Sequence, residues 1–318
     1  MSVAEQFIAE GHDVTAITSL CGLARSTFYY EPRPGTQGRK PSTHTPSLGG
    51  VLFSNEYIVD LIKEHLMQEF VDYGYGKMTS WLADEQGFVI DDKKVYRLMR
   101  DARLLSARIT RNKAGKRIAE DLVPRPEKPF EHLQMDIKYI HVHGRRRNAL
   151  LLTAVDVFSR SALAYRFAWS LRKHDVVCMM REILMNYRMP VKATIRNDNG
   201  SQFEAKLLRD YFEEMNVDQE FTHVATPDEN CYIEGFHSIV QSVICNAYQF
   251  ESFDVAEATI NRFMNFYNQE RLHGGIGNKA PSKFLKAKGY AALPILAVRP
   301  SADDKEQTKR LVEYLSKK

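Results

Sequence analysis

Hydrophobic residues with helical spacing dominate the first third of the chain. Residues 13 to 30 predict two short helices around Gly22, the outline of a helix-turn-helix. The inner face of this pair is predicted to consist of Val14, Ile17, Leu20 and Leu23. Between residues 54 and 104 three more helical patterns follow, and the last repeats apolar residues at i, i+3, i+4 and i+7. The first third is therefore predicted to be helical.

From about residue 131 the hydrophobic period becomes strand-like. The predicted strands are 132–142, 148–157, 161–168, 192–196 and 218–223, and the predicted helices are 173–187, 204–215, one from about 230, 255–268 and 303–317. Within the region from 132 to about 250 the order is β-β-β-α-β-α-β-α. That order predicts an α/β domain with five strands and flanking helices.

Loop-forming residues separate these regions. Residues 31–50 hold four Pro, four Gly and five Ser or Thr, which predicts a flexible linker, and Pro124, Pro126 and Pro129 mark a second boundary. The predicted parts are a helix-turn-helix-like segment (1–30), the linker (31–50), a helical DNA-binding domain with a basic arm (51–126), the α/β core (127–290) and a tail with a charged helix (291–318).

Composition excludes several classes of protein. The chain has 318 residues, 44% of them hydrophobic and 26% charged, which is typical of globular domains. Its longest apolar stretch, 149–158, is too short to cross a bilayer, and the N terminus shows no signal-peptide pattern. The four cysteines form no CxxC pair, which argues against a disulfide scaffold or a zinc knuckle. We expect a cytoplasmic protein.

Positive charge is concentrated in two places. Residues 93–117 contain ten Lys or Arg and one acid, although the whole chain carries only +4, and a second cluster lies at 145–147. Such clusters indicate a polyanionic partner, whereas the alternative is a solvated helix face. The candidate DNA-binding residues are Arg25, Lys93, Lys94, Arg97, Arg100, Arg103, Arg108, Arg111, Lys113, Lys116, Arg117, Arg145, Arg146 and Arg147.

Three acids occupy informative positions in the α/β order. Asp136 lies inside the first predicted strand, Asp198 ends the fourth, and Glu234 lies one turn inside the following helix. Sites in α/β sheets assemble at strand ends, and converging carboxylates require cations. Oxygen ligands suit Mg²⁺ or Mn²⁺, and two such ions activate a hydroxyl nucleophile for attack on a phosphodiester. Alternatively, each acid is an ordinary cap or ion-pair residue.

Four motifs carry a family resemblance. QMDIKYI, TAVDVFSR, RNDNGSQF and NCYIEGFHSIV resemble the retroviral-integrase-like catalytic core of the DDE transposases, and 35 residues separate Asp198 from Glu234, as in that group. The closing segment FYNQERLHGGIGNKAPSKF, the upstream segment YGYGKMTSWLADEQGFVIDDKKVYRLMRDARLL and STFYY are similar to the second-frame (OrfB-type) transposases of two-frame bacterial insertion sequences.

The resemblance implies an RNase H-like core with a mixed five-stranded sheet, preceded by small all-α helix-turn-helix segments. It implies that Asp136, Asp198 and Glu234 are catalytic ligands of two Mg²⁺ or Mn²⁺ ions. The implied reaction nicks insertion-sequence ends and transfers the freed 3′-OH to a phosphodiester. Expected partners are double-stranded DNA of the terminal repeats and of the target, further copies of the chain, and a first-frame DNA-binding protein. The expected location is the bacterial cytoplasm, on the nucleoid when DNA is bound.

The chain departs from that family at three places. Leu133 and Gln134 stand where many relatives have a Trp, Lys138 replaces a common Thr, and Gln241 replaces a Lys that contacts donor DNA in many members. Two other functions remain open: an RNase H-like nuclease or resolvase that only hydrolyses, and a non-catalytic DNA-binding remnant.

Other candidate residues carry weaker signals. His141 and His143 share a strand face but lack a third ligand nearby. His237 follows Glu234 by one helical turn, and helix packing is the favoured interpretation of it. Asn268, Arg271 and His273 match the closing segment, but their residue types predict no role.

Overall fold

The computed structural model describes residues 3–30, 41–105, 123–187, 192–200, 202–223 and 227–299, with single residues near the C terminus. The chain divides into two compact units, Met1–Thr43 and His44–Lys318. Within the described ranges, every helix is too short or too polar to span a bilayer. Candidates Arg108, Arg111, Lys113, Lys116 and Arg117 lie outside these ranges, as does most of the predicted helix at 303–317.

The first unit is a set of short helices: α1 (Val3–Ala9), α2 (Val14–Leu20) and α3 (Arg25–Phe28). Asp13 caps α2 by accepting a hydrogen bond from the Ala16 amide at 2.9 Å, and Gly22 makes the turn at φ +62°. The predicted pair of helices is confirmed, but its inner face is shorter than predicted. Leu20 and Leu23 are exposed, because the one-turn helix α3 is too short to cover them.

The second unit begins with a small helical subdomain, His44–Leu105. Its elements are β1 (His44–Pro46), β2 (Leu52–Ser54), α4 (Asn55–Leu66), α5 (Tyr75–Asp84) and α6 (Asp92–Asp101). Ile58, Met78 and Val95, one from each helix, are fully buried in one core and confirm the three helical patterns. The linker prediction was wrong at 44–46, because β1 pairs with β2 and the His44 carbonyl accepts a hydrogen bond from Lys94. Residues 31–40 of that linker lie outside the described ranges.

The core is a mixed sheet of six strands in the order β7-β6-β3-β4-β5-β8. The strands are β3 (His132–Val142), β4 (Arg147–Asp156), β5 (Ala162–Ala168), β6 (Ala193–Asn197), β7 (Val217–Phe221) and β8 (Leu296–Ala297). β3, β4 and β5 are antiparallel, whereas β6, β7 and β8 each run parallel to their neighbours. The prediction of five strands was one short, because a two-residue strand such as β8 has no detectable period.

Helices cover both faces of this sheet. They are α7 (Lys173–Asn186), α8 (Lys206–Glu214), α9 (Cys231–Val240), α10 (Phe253–Gln269) and α11 (Pro281–Ala287), and a π-helical turn, Gln241–Cys245, extends α9. One hydrophobic cluster joins the sheet to α7 and α8, and a second joins it to α9 and α10. A sheet that is apolar on both faces must be covered on both, and this layering confirms the α/β prediction.

Candidate active site

The site forms where β6 stops and β3 continues. The parallel pairing aligns Met135 of β3 with Asn197, the last residue of β6. Asp136 and Asp198 are the next residues of the two chains, so the register brings them to the same edge of the sheet. Parallel strands that end together commonly form a site at that edge.

Asp136 is a partly buried carboxylate, with its side chain 22% exposed, and both of its oxygens have neighbours. Its Oδ1 accepts a hydrogen bond from the backbone amide of Ile137 at 2.7 Å. Its Oδ2 lies 3.3 Å from Nδ1 of His237 on α9. These two contacts hold the carboxylate in one orientation.

Asp198 lies in the turn after β6 and feels the charge of Asp136. Burial raises the pKa of the Asp198 carboxyl above its usual value, and the Asp136 and Glu204 charges raise it further. A hydrogen bond from the Gly200 amide to Oδ1, at 3.0 Å, opposes that rise. A Cβ at position 200 would lie 3.0 Å from the same oxygen, so the turn requires glycine. Two carboxylates that hinder each other's ionisation are a natural pair of cation ligands.

Glu234 is exposed on α9, and Gln134 of β3 fixes the start of that helix. The fully buried Gln134 side chain accepts hydrogen bonds from the Tyr232 and Ile233 amides at 3.1 and 3.0 Å and donates to the Glu229 carbonyl at 3.0 Å. Asn230, the residue before the helix, provides no side-chain cap. Gln134 therefore caps α9 from the neighbouring strand, immediately before Glu234.

The oxygen donors suit a hard divalent cation, but they are not gathered as a complete ligand set. Among the described residues, no three His, Cys, Asp or Glu side chains lie close enough together to hold a metal ion. Asp136 and Asp198 interact through their charges, whereas Glu234 lies on the adjoining helix. The predicted triad thus has two neighbouring members and a third on an element packed against β3.

Two residues at the site escaped the sequence analysis. Helix packing was the favoured interpretation of His237, but the structure places its ring against Asp136; its i+3 spacing from Glu234 was the available signal. Gln134 was noted only as a departure from a common Trp. His141 and His143 are exposed neighbours, with ring centroids 4.8 Å apart, and the described residues supply them no third ligand.

Comparison with known families assigns both parts of the second unit. Two integrase core domain models match residues 126–227 and 215–281, and an HTH-like domain model matches 54–113. The chain belongs to the DDE transposases of bacterial insertion sequences. It is a polynucleotidyl transferase, and the integrase core family to which it belongs uses divalent metals. The mixed, helix-flanked sheet of this transposase is RNase H-like, as predicted.

Curated relatives of the transposase come from insertion sequences. The 31.7 kDa protein of insertion element IS407 from Burkholderia multivorans is 26% identical, over 83% of this chain and 87% of its own length. The 31 kDa protein of IS600 from Shigella sonnei is 22% identical, over 67% and 80%. The probable transposase of IS1353 from Shigella flexneri is 21% identical, over 86% of this chain and 52% of its own.

Solved structures similar to the transposase are retroviral integrases. The HTLV-2 integrase catalytic core domain, in complex with magnesium, matches 50% of this chain and 99% of its own, with 14% identity and a TM-score of 0.39. The BIV integrase catalytic core domain matches 50% and 97%, with 18% identity and a TM-score of 0.39.

The described DNA-binding candidates lie at three surfaces of the transposase. On α6, Lys93 and Arg100 are exposed and Lys94 and Arg97 are partly buried; Arg103 is exposed just after the helix. Arg145, Arg146 and Arg147 are exposed at the β3–β4 turn, where the Arg147 guanidinium lies 5.2 Å from the Trp169 ring centroid. Arg25 is exposed in the first unit. Their contacts with DNA remain predictions.

The closing segment of the transposase joins the core to the helical subdomain. Asn268 holds α10 to β5 by two hydrogen bonds with the Ala162 backbone, at 2.8 and 2.9 Å. Arg271 pairs with Asp72 of the helical subdomain at 2.7 Å, and Leu272 is part of that subdomain's hydrophobic core. Residues that match the closing motif therefore connect the HTH-like part to the catalytic part.

Proposed function

We propose that Asp136, Asp198 and Glu234 form the catalytic centre with which this transposase nicks the ends of its insertion sequence and joins the freed 3′-OH to another DNA. The observation that carries this assignment is the pair of carboxylates at the β3–β6 edge, where the Asp136 charge raises the Asp198 pKa. Each acid supplies hard oxygen donors, and α9 carries the third acid alongside β3.

We propose two Mg²⁺ or Mn²⁺ ions as the cofactor. When bound, such ions activate the hydroxyl nucleophile and stabilise the leaving oxygen. The protein's own contribution is to hold the ligands in place. The Ile137 amide orients Asp136, the Gly200 amide orients Asp198, and Gln134 fixes the start of the helix that carries Glu234.

Phosphate contacts are assigned to surfaces away from the acids. We propose that residues 51–126 bind the element ends through α6, that residues 127–290 perform catalysis, and that Arg145–Arg147 approach a second duplex. Gln241, exposed at the start of the π-helical turn, donates to Asn246 at 2.8 Å and takes the place of a Lys that contacts donor DNA in many relatives. Further copies of the chain and a first-frame protein are proposed to complete the assembly on nucleoid DNA.

The test replaces each acid separately. Asp136→Asn, Asp198→Asn and Glu234→Gln should each abolish nicking of an end-labelled duplex carrying the element's own terminal repeat, while duplex affinity stays near wild type. Glu204→Gln is the matched control, because Glu204 is an exposed acid whose charge reaches Asp198 but which is outside the proposed triad. Nicking at the wild-type rate by any triad variant would remove that residue from the assignment.

Hydrolysis alone is the second candidate function. A nuclease would need the same acids, so the acid variants do not separate the two reactions. The features that favour transfer are the matched HTH-like domain and the two separate basic surfaces, α6 and the β3–β4 turn, which suit two DNA duplexes.

A further inference from the structure

One side chain at the candidate site has no role in the proposed triad. His237 projects from α9 with only 12% of its side chain exposed, and its Nδ1 lies 3.3 Å from Oδ2 of Asp136. Its other nitrogen, Nε2, is buried and has no hydrogen-bond partner among the described residues. A buried imidazole with one nitrogen against a carboxylate is placed to act on that carboxylate.

We propose that His237 is a positioning residue that donates its Nδ1–H to Asp136 and thereby sets the affinity of the site for a divalent cation. The proposal rests on the proposed function, in which Asp136 binds that cation. An ionised carboxylate only accepts hydrogen bonds, so the contact requires the proton on Nδ1 of the ring.

The contacts of Asp136 show why a second donor matters. The Ile137 amide holds Oδ1, but this bond is local to the strand and leaves the other oxygen free to rotate about it. The His237 contact comes from α9 and fixes Oδ2 as well. Each carboxylate oxygen has two lone pairs, so both keep one for a cation. Hydrogen-bonded partners of metal ligands typically contribute about 10- to 100-fold in metal affinity or activity.

The same contact links two proposed ligands. His237 and Glu234 lie three residues apart on one face of α9, so a bond from His237 to Asp136 also ties the helix carrying Glu234 to the strand carrying Asp136. Together with the Gln134 cap, it fixes α9 to β3 at two points one turn apart.

The test measures Mn²⁺ binding to the full chain without DNA, by the loss of the free-ion electron paramagnetic resonance signal. His237→Phe removes the donor and should weaken Mn²⁺ binding about 10- to 100-fold. His237→Asn places an amide N–H where Nδ1 stood and should restore affinity close to wild type. His237→Gln extends its amide toward the Nε2 position and should bind as weakly as the Phe variant. Thermal melting of each variant confirms that it is folded.

Each result separates this role from its alternatives. Unchanged Mn²⁺ affinity in folded His237→Phe, with binding lost in Asp136→Asn, would overturn the positioning role and leave the proposed function intact. Unchanged affinity in Asp136→Asn would instead overturn the metal assignment of the proposed function. A directly coordinated nitrogen in the pulsed spectrum of wild type, absent from His237→Phe and not replaced in His237→Asn, would make His237 a ligand and refute the positioning role.

Discussion

Replacing Gln134 should damage both stability and catalysis, because one side chain caps α9 from β3. Gln134→Met keeps the volume but leaves the Tyr232 and Ile233 amides without acceptors, while the Glu229 carbonyl keeps its bond from Arg196 at 2.8 Å. An unsatisfied buried group costs about 1–3 kcal/mol, so two amides, one of them only partly buried, should cost about 3 kcal/mol. The loosened helix start also displaces Glu234, and a shift of about 1 Å can cost 10²-fold in rate.

Urea unfolding measures the first effect, and nicking by the folded fraction measures the second. Gln86→Met is the matched control: Gln86 is exposed beyond α5, so its replacement should change the unfolding free energy by less than about 0.5 kcal/mol. If Gln134→Met unfolds within that same margin of wild type, the cap does not carry the energy assigned to it. If stability falls but the nicking rate does not, Glu234 does not depend on the cap.

Three further predictions concern the closing segment and the basic helix. Arg271→Met removes a pair whose Arg side chain is only 3% exposed and should cost about 3 kcal/mol in urea unfolding. Arg262→Met breaks an exposed pair with the same subdomain and should cost under about 1 kcal/mol. Burial lowers the pKa of His273 from 6.5 to about 3, so stability should fall by up to about 1.4 kcal/mol per unit as pH drops below 6.5, and less steeply in His273→Asn. Replacing exposed Lys93 and Arg103 with Gln should lower the salt slope of DNA binding by about 0.9 per phosphate contact.

Each of these has a clear contrary result. Equal losses in the two Arg variants would show that burial does not distinguish the two pairs. Parallel pH profiles for wild type and His273→Asn would mean that His273 is not held neutral by the fold. An unchanged salt slope would make the basic face of α6 an ordinary solvated surface.

The regular elements were predictable because each is long enough to show its period. The eleven residues of β3 contain over five alternations, and the predicted bounds, 132–142, match the observed ones. The inner face of α2 was only partly predictable, because the exposure of Leu20 depends on the length of its neighbour. β8 was missed because two residues carry no period.

The acids of the candidate site could be named from sequence, but their supporting contacts could not. Asp136 and Asp198 stood out as charges at strand positions within recognised motifs. The bonds from Gln134 to the start of α9 join residues 98 and 99 positions apart, and no local pattern encodes such a pairing. Arg271 likewise meets Asp72 across about 200 residues, so its role became visible only when the closing segment and the helical subdomain were seen in contact.

Strand transfer is the measurement closest to the central claim. A pre-cut element end with a free 3′-OH is incubated with an unlabelled target duplex, the transposase, any required first-frame partner, and Mg²⁺ or Mn²⁺. We expect covalently joined product in the wild type, none with Glu234→Gln, and none when the end carries a 3′-dideoxy nucleotide, because the nucleophile is then missing. Cleaved DNA without any joined strand in either metal would contradict the account and identify the enzyme as a nuclease.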